Sequence, residues 1–285
     1  MYHKPEWLRI KYAKTQNQEL VENILRKLGL NTVCREANCP NYGNCFSRKT
    51  ATFMIMGTNC TRNCRFCNVR HEQPQQLSSD EPKNVAQAVK ELGLKYVVVT
   101  SVTRDDLSDG GAEHFAKVIT EIKGIAPQVI IEVLTPDFRG SLDSLETVAD
   151  AKPAVISHNM ETVKYLYSAV RPQADYRRSL DLLKNIKLLN PAIKSKSGIM
   201  IGLGETKEQV YGLFDDLLEV GCEFLTIGQY LAPSKQHYPI KEYIEPSLFE
   251  EYGEIARQKG FSFVASAPLV RSSFNASEAF GSYCT

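Results

Sequence analysis

No apolar run in this 285-residue chain approaches the roughly 20 residues needed to cross a bilayer, and the opening MYHKPEWLRIKYAK holds no signal-peptide hydrophobic core. No membrane association is expected, and a cytoplasmic location is. Charge of one sign is missing too: 34 Lys and Arg stand against 33 Asp and Glu, a formal net charge of +1. Without a basic bias there is no electrostatic footprint for nucleic acid. No stretch is rich enough in Gly, Ser or Pro to be an interdomain linker, so the reading is one catalytic domain with extensions. The phosphate-binding signatures are also absent, because GIMIGLGET (198–206) is neither a GxGxxG fingerprint nor a P-loop.

What the chain does have is cysteine, eight in all, six of them between residues 34 and 67. Clustered cysteines in a chain of this size without a secretion signal bind metal or do redox work more often than they form disulfides. The stretch ATFMIMGTNCTRNCRFCNVR (51–70) runs from a strand-like segment into a loop with Cys60, Cys64 and Cys67 spaced C-x3-C-x2-C. Three thiolates in eight residues converge on one soft-metal centre without help from distant parts of the fold. A local fourth ligand is lacking, and on a four-iron cluster that leaves one iron open to a small molecule. Just upstream, TVCREANCPNYGNCFSRKT places Cys34, Cys39 and Cys45 at C-x4-C-x5-C in what its Pro, Asn and Gly content marks as a loop. Cys222, at a helix-to-strand junction, reads as a small buried hydrophobe, and Cys284 has no assigned role. A zinc-stabilised binding module using the six clustered cysteines is the alternative from a different class.

Residues 16–28 carry Leu20, Val21, Ile24, Leu25 and Leu28 on one helical face, with Gly29 as a stop. From residue 51 strands alternate with helices. Strands are expected at 52–57, 95–100, 129–134, 154–157, 198–203 and 224–231, with a possible seventh at 262–266. Helices are expected near 84–92, 112–123, 141–150, 161–169, 177–189, 206–220 and 247–259. That alternation predicts an α/β fold, a partial parallel (β/α)6 barrel with N- and C-terminal extensions. The divisions expected are 1–50, 51–260 and 261–285. In parallel barrels the chemistry sits at the carboxyl ends of the strands, where the Cys60–Cys67 loop falls relative to strand 52–57.

Other strand ends then become candidates. Gly110 and Gly111 follow the second strand, where they either bring backbone close to a ligand or, with Asp109, cap the next helix. Glu132, a carboxylate inside the apolar run VIIEVL, either faces a ligand or pairs with a neighbouring cation; the ligand is expected. In Ser157-His158-Asn159-Met160-Glu161, His158 is a possible base, and Asn159 is the better ligand contact. Arg171, before Pro172, suits a carboxylate clamp or a surface ion pair. Near the end, Arg271-Ser272-Ser273 reads as a helix cap or as the source of a serine oxygen for the upstream cysteine triplet.

Cys60-Thr-Arg-Asn-Cys64-Arg-Phe66-Cys67 resembles the C-x3-C-x-aromatic-C motif of the radical S-adenosylmethionine (SAM) superfamily. The Cys34/Cys39/Cys45 triplet together with Arg271-Ser272-Ser273 resembles the lipoyl synthase family within it. The resemblance implies two [4Fe-4S] clusters, one on Cys60, Cys64 and Cys67 that binds and cleaves SAM, and an auxiliary one on Cys34, Cys39, Cys45 and Ser273 that is consumed as sulfur donor. It implies Phe66, Gly110, Gly111, Glu132, Asn159 and Arg171 as cofactor contacts. The reaction implied is insertion of two sulfur atoms at carbons 6 and 8 of an octanoyl chain. That chain is carried on a lysine of a 2-oxoacid dehydrogenase lipoyl domain or of glycine-cleavage H protein, with a low-potential electron donor. A biotin-synthase-like sulfur-inserting enzyme is the second enzymatic reading. Family members usually have a tyrosine where this sequence has Phe274, and the superfamily's Gly-Gly-Glu appears as Gly110-Gly111-Ala112. Without a coiled-coil pattern or long apolar edge, a monomer is expected.

Overall fold

The computed structural model describes residues 4–10, 15–273 and 276. Cys284 and Phe274 lie outside the described residues. Chain order begins with helix α1 (Gln16–Lys27), strand β1 (Asn31–Thr32), and the short helices α2 (Val33–Glu36) and α3 (Tyr42–Ser47). Then follow β2 (Thr52–Ile55), α4 (Glu81–Leu92), β3 (Tyr96–Ser101), α5 (Ala112–Ile125), β4 (Ile130–Leu134), α6 (Leu142–Asp150), β5 (Val155–Ser157) and α7 (Tyr167–Val170). The chain continues through α8 (Tyr176–Leu189), β6 (Lys194–Ile201), α9 (Lys207–Glu219), β7 (Phe224–Gln229), α10 (Pro246–Lys259) and β8 (Phe263–Ser266).

All eight strands form one sheet in sequence order. Strands β2 to β8 run parallel, and β1 pairs antiparallel with β2. The six expected strands are β2 to β7, and the possible seventh joins as a parallel neighbour of β7. The sheet therefore continues past residue 260. Every residue of β2 and β7 is buried, as strands covered on both faces require. The helices lay apolar stripes on the outside, for example Val85, Ala88, Val89 and Leu92 of α4 against Phe115, Val118, Ile119 and Ile122 of α5.

Three local expectations need correction. The upstream cysteine segment is not all loop: α2 and α3 carry Cys34 and Cys45 on short helical turns. The helix expected at 161–169 shrinks to a 3-10 turn at Lys164–Leu166 followed by one turn of α7, because Glu161 takes a left-handed φ of 66° and bridges to β6 at Ile199. Strand β6 starts at Lys194, four residues before its apolar run, since Lys196 points inward to a buried partner.

Candidate active site

The cysteine loop after β2 is fixed along its length. Met56 takes a φ of 69°, its N–H donates to Glu81 Oε2 at 2.8 Å, and the chain leaves the strand there. Cys60 N–H donates to the Arg70 carbonyl at 2.8 Å, Thr61 N–H to the Thr103 carbonyl at 3.1 Å, and Arg65 N–H to the Val170 carbonyl at 2.9 Å. The Cys60 sulfur accepts N–H groups from Thr103 at 3.2 Å and Arg62 at 3.5 Å. His237 holds the Cys67 carbonyl through Nε2 at 3.0 Å. Burial raises Cys67 to about 12, with the neighbouring Cys64 and Cys60 sulfurs adding to it. Burial likewise raises Cys64, while the Arg171 charge pulls it back. Metal binding by cysteines requires their thiolates, so loss of these protons would be coupled to uptake of a cation.

The upstream triplet behaves in the same way. Burial lifts Cys34 to about 11 and Cys45 to about 12, with repulsion from Cys39 contributing to both. Burial also raises Cys39, and the Arg271 charge opposes it. Asn41 donates to the Leu269 carbonyl at 2.7 Å, so the segment leading to Arg271, Ser272 and Ser273 lies against the triplet. Asn68, next to Cys67, donates to the Glu36 carbonyl at 2.7 Å and ties the two cysteine segments together. None of the described cysteines is in a disulfide, and among the described residues no three Cys, His or carboxylate donors close on a single metal ion.

Between the triplets lies a polar site at the strand ends. Arg171, 8% exposed, donates through Nη1 to the Asn159 carbonyl at 2.8 Å, the Met160 carbonyl at 3.3 Å and the Tyr167 hydroxyl at 2.6 Å. Its Nε is buried without a hydrogen-bond partner, and so is Asn159 Oδ1. One open donor and one open acceptor beside the cysteines fit an amino acid's carboxylate and ammonium, the groups a bound SAM presents. Asn159 Nδ2 donates to Glu161 Oε1 at 3.0 Å. Burial raises the Glu161 carboxyl, with Arg171 and Arg271 acting against it. The left-handed backbone at Glu161 left no signal in the sequence, and the same is true of its place between these two arginines. Phe66 joins Leu203, Tyr230 and Val170 in a small apolar cluster, a dry wall beside the loop.

Two expected contacts have partners within the protein. Glu132, 1% exposed, is fully engaged inside the barrel: Lys196 Nζ donates to its two oxygens at 2.8 and 2.9 Å, Ser157 Oγ donates at 2.9 Å and the Tyr96 hydroxyl at 2.5 Å. Lys196, two residues before the apolar run, is the cation that no local sequence signal identifies. The carboxylate has its hydrogen bonds met by protein and lies below the strand ends. At Gly110-Gly111 the hydrogen bonds follow the capping alternative: Asp109 accepts N–H groups from Gly111 at 2.9 Å and Glu113 at 2.8 Å, and the Gly111 carbonyl is taken by Phe115. A Cβ on Gly111 would lie 2.3 Å from Met56 Sδ, so Met56 requires a glycine there. His158 is also structural, with Nδ1 against the Thr135 carbonyl at 2.9 Å and Nε2 against Ser179 Oγ at 3.0 Å; burial lowers it to about 4, so it is neutral.

Comparison with known proteins agrees with this architecture. Residues 54–217 match the Radical SAM superfamily profile. The chain is 58% identical over 276 residues to the lipoyl synthase of Alkaliphilus metalliredigens, covering 97% of this chain and 95% of that protein. It is also 58% identical over 275 residues to the lipoyl synthase of Caldicellulosiruptor saccharolyticus, covering 96% of each. Among solved structures, the [FeFe]-hydrogenase maturase HydG superposes with a TM-score of 0.61 at 15% identity over 91% of this chain and 58% of that one. Methylornithine synthase (PylB) does so with 0.56 at 14% identity over 91% and 88%. At such identities the two structures speak for the fold alone, and the relatives narrow it further. The chain belongs to the lipoyl synthase family of the radical SAM superfamily.

Proposed function

We propose that Cys60, Cys64 and Cys67 hold a SAM-binding [4Fe-4S] cluster and that Cys34, Cys39, Cys45 and Ser273 hold a second, auxiliary one. On this reading the chain inserts two sulfur atoms at carbons 6 and 8 of an octanoyl group carried on a protein lysine. When bound and reduced, SAM and its cluster supply radical chemistry able to take hydrogen from unactivated carbon, and the auxiliary cluster supplies the sulfur. The observation that carries the reading is the convergence of three segments far apart in sequence: the two cysteine triplets joined through Asn68 and Glu36, and the 269–273 segment held by Asn41.

The chain's own residues have separable tasks. Arg171 offers its open Nε to a carboxylate, and Asn159 offers Oδ1 to an ammonium. Phe66, Leu203 and Tyr230 keep water from one side of the site, which strengthens every charge interaction within it. The Ser273 hydroxyl is a harder donor than the three thiolates, so the iron it holds is the easier one to detach. The divisions 1–50, 51–260 and 261–285 then separate auxiliary loop, radical domain and serine-bearing extension. The carrier is a lipoyl domain or H protein, a low-potential donor supplies electrons, and the enzyme works as a cytoplasmic monomer. Among the described residues no helix is long and apolar enough to cross a membrane.

The test supplies SAM, a low-potential reductant and an octanoyl-lysyl carrier peptide without oxygen. Lipoyl or monothiolated peptide with 5′-deoxyadenosine is expected, together with about eight irons per chain. Cys34→Ala is expected to keep 5′-deoxyadenosine formation and lose sulfur insertion; loss of both would refute the division of labour. Release of 5′-deoxyadenosine with no sulfur in the peptide would point to another substrate.

A further inference from the structure

Residue 62 lies between two of the cysteines, yet its side chain turns inward and is almost wholly buried. The Arg62 guanidinium forks onto Asp105, Nε to Oδ2 at 2.7 Å and Nη2 to Oδ1 at 2.9 Å, and Nη2 also reaches Asp137 Oδ1 at 2.6 Å. Asp137, 1% exposed, accepts the Arg139 N–H at 3.0 Å and faces Arg178 Nη1 at 3.5 Å. The chain at Phe138, Arg139 and Gly140 takes φ values of 45°, 54° and 85°, three successive left-handed residues of which two are not glycine. Such backbone persists only where its surroundings over-determine it. Here the surroundings are the Asp137 carboxylate and Phe138, which is buried edge-on against Phe115. The neighbouring backbone is joined as well: Thr61 Oγ1 donates to the Thr103 carbonyl at 3.0 Å and accepts the Asp105 N–H at 3.1 Å.

We propose that Arg62 is a positioning residue for the cluster loop, with Asp137 as its anchor. Its fork ties the Cys60–Cys64 turn to the loops after β3 and β4, and so fixes the two N–H groups aimed at the Cys60 sulfur before iron arrives. Simple stability does not call for this arrangement, because buried ion pairs are often replaceable by apolar packing without loss. What a planar, bidentate guanidinium adds is direction, which the single point charge of a lysine does not reproduce. The left-handed turn is the rigid wall against which that direction is set.

The inference rests on the cluster assignment for Cys60, Cys64 and Cys67, and the test separates the two. A chain carrying Cys34→Ala, Cys39→Ala and Cys45→Ala is loaded with iron and sulfide without oxygen and reduced. It is then titrated with SAM while the cluster's electron paramagnetic resonance signal is followed, alongside iron content and melting temperature. Arg62→Lys and Asp137→Asn are each expected to retain iron, the second with a lowered melting temperature because it removes a buried countercharge, and each to raise the SAM concentration at half-change about tenfold, the effect of one charge-assisted contact. The double variant is expected to go no further than the worse single, since both remove the same contact. A variant that keeps its melting temperature but no longer takes up iron supports the same conclusion. If Asp137→Asn fails to fold, Asp105→Asn, at the more exposed end of the fork, decides by the same titration. Unchanged SAM titrations at full iron content, or singles that add in the double, would overturn the positioning role. Failure of the parent chain to bind iron would overturn the cluster assignment and this inference with it.

Discussion

The buried pair of Glu132 and Lys196 gives the sharpest test of where the ligand site ends. Lys196→Met removes the ammonium and leaves the Glu132 carboxylate 1% exposed, with the Ser157 and Tyr96 hydroxyls as its remaining donors. Burial first, then the Glu132 charge, keeps the Tyr96 phenol protonated, so it stays a donor but a neutral one. Stranding one partner of a buried pair costs about 3–5 kcal/mol, whereas removing both is often neutral. With about 2–4 °C of melting temperature per kcal/mol for a chain somewhat smaller than this one, the single variant should melt about 10 °C lower. The double variant Glu132→Gln/Lys196→Met should recover most of that. Anaerobic thermal melts of the cluster-loaded proteins measure both, and 5′-deoxyadenosine formation per loaded chain is measured beside them. Because all the hydrogen bonds found for this carboxylate are internal, the double variant should cleave SAM within about twofold of the parent, the scatter of ordinary surface changes. A Glu132→Gln variant with full iron, an unshifted melt and SAM cleavage down a hundredfold would show Glu132 to be a ligand contact and refute a purely structural role.

Two further outcomes follow from the same geometry. Burial drops His158 to about 4 from an ordinary 6.5, so the unfolded chain takes up a proton at a pH where the folded chain does not. Its contribution, about 3 kcal/mol, is therefore present above pH 6.5 and lost as pH falls towards 4; melts of the metal-free chain at pH 7 and 5 should show that loss, and His158→Gln should flatten it. Ser273→Cys should give slower sulfur insertion than the parent with 5′-deoxyadenosine formation unchanged, measured by product mass spectrometry, and a normal rate of lipoyl formation would show that the hard oxygen ligand does not set the cluster's lability.

The sheet was legible because its signal is local: Val97, Val98 and Val99, or Ile131 and Val133, belong to short buried runs between amphipathic helices, and parallel strands read that way wherever they occur. The cysteine spacing was legible for the same reason, since three ligands within one loop are a property of eight residues. What stayed hidden depended on distant partners. Glu132 looked free because Lys196 is 64 residues away and belongs to a polar stretch, Lys194-Ser195-Lys196-Ser197, with none of the apolar alternation that marks a strand. At Gly111 nothing near in sequence announces Met56, which fills the space a side chain would need. Glu161 carries no mark at all, because a left-handed carboxylate-bearing residue is specified by the strands around it rather than by its neighbours in sequence.

Sulfur insertion by one active site sets a constraint that neither triplet meets alone: the sulfur source must lie within reach of the carbon from which hydrogen is removed. On the proposed assignment, this chain would meet the constraint by closure rather than by adjacency. The two cysteine segments flank β2 and are joined across it by Asn68 and Glu36, while the far end of the chain returns over β7. At that crossing a Cβ on Gly228 would sit 2.1 Å from the Val270 carbonyl oxygen, so the path of the returning segment depends on the absence of a side chain there. One residue further on, the Arg271 charge bears on both Cys39 and Glu161, which belong to different candidate sites. A cation shared in this way makes the electrostatics of the two candidate sites a single problem, because a change of charge at one alters what Arg271 balances at the other. On the proposed cluster assignment, a change of charge at the Cys34/Cys39/Cys45 site would be felt at Glu161 through Arg271.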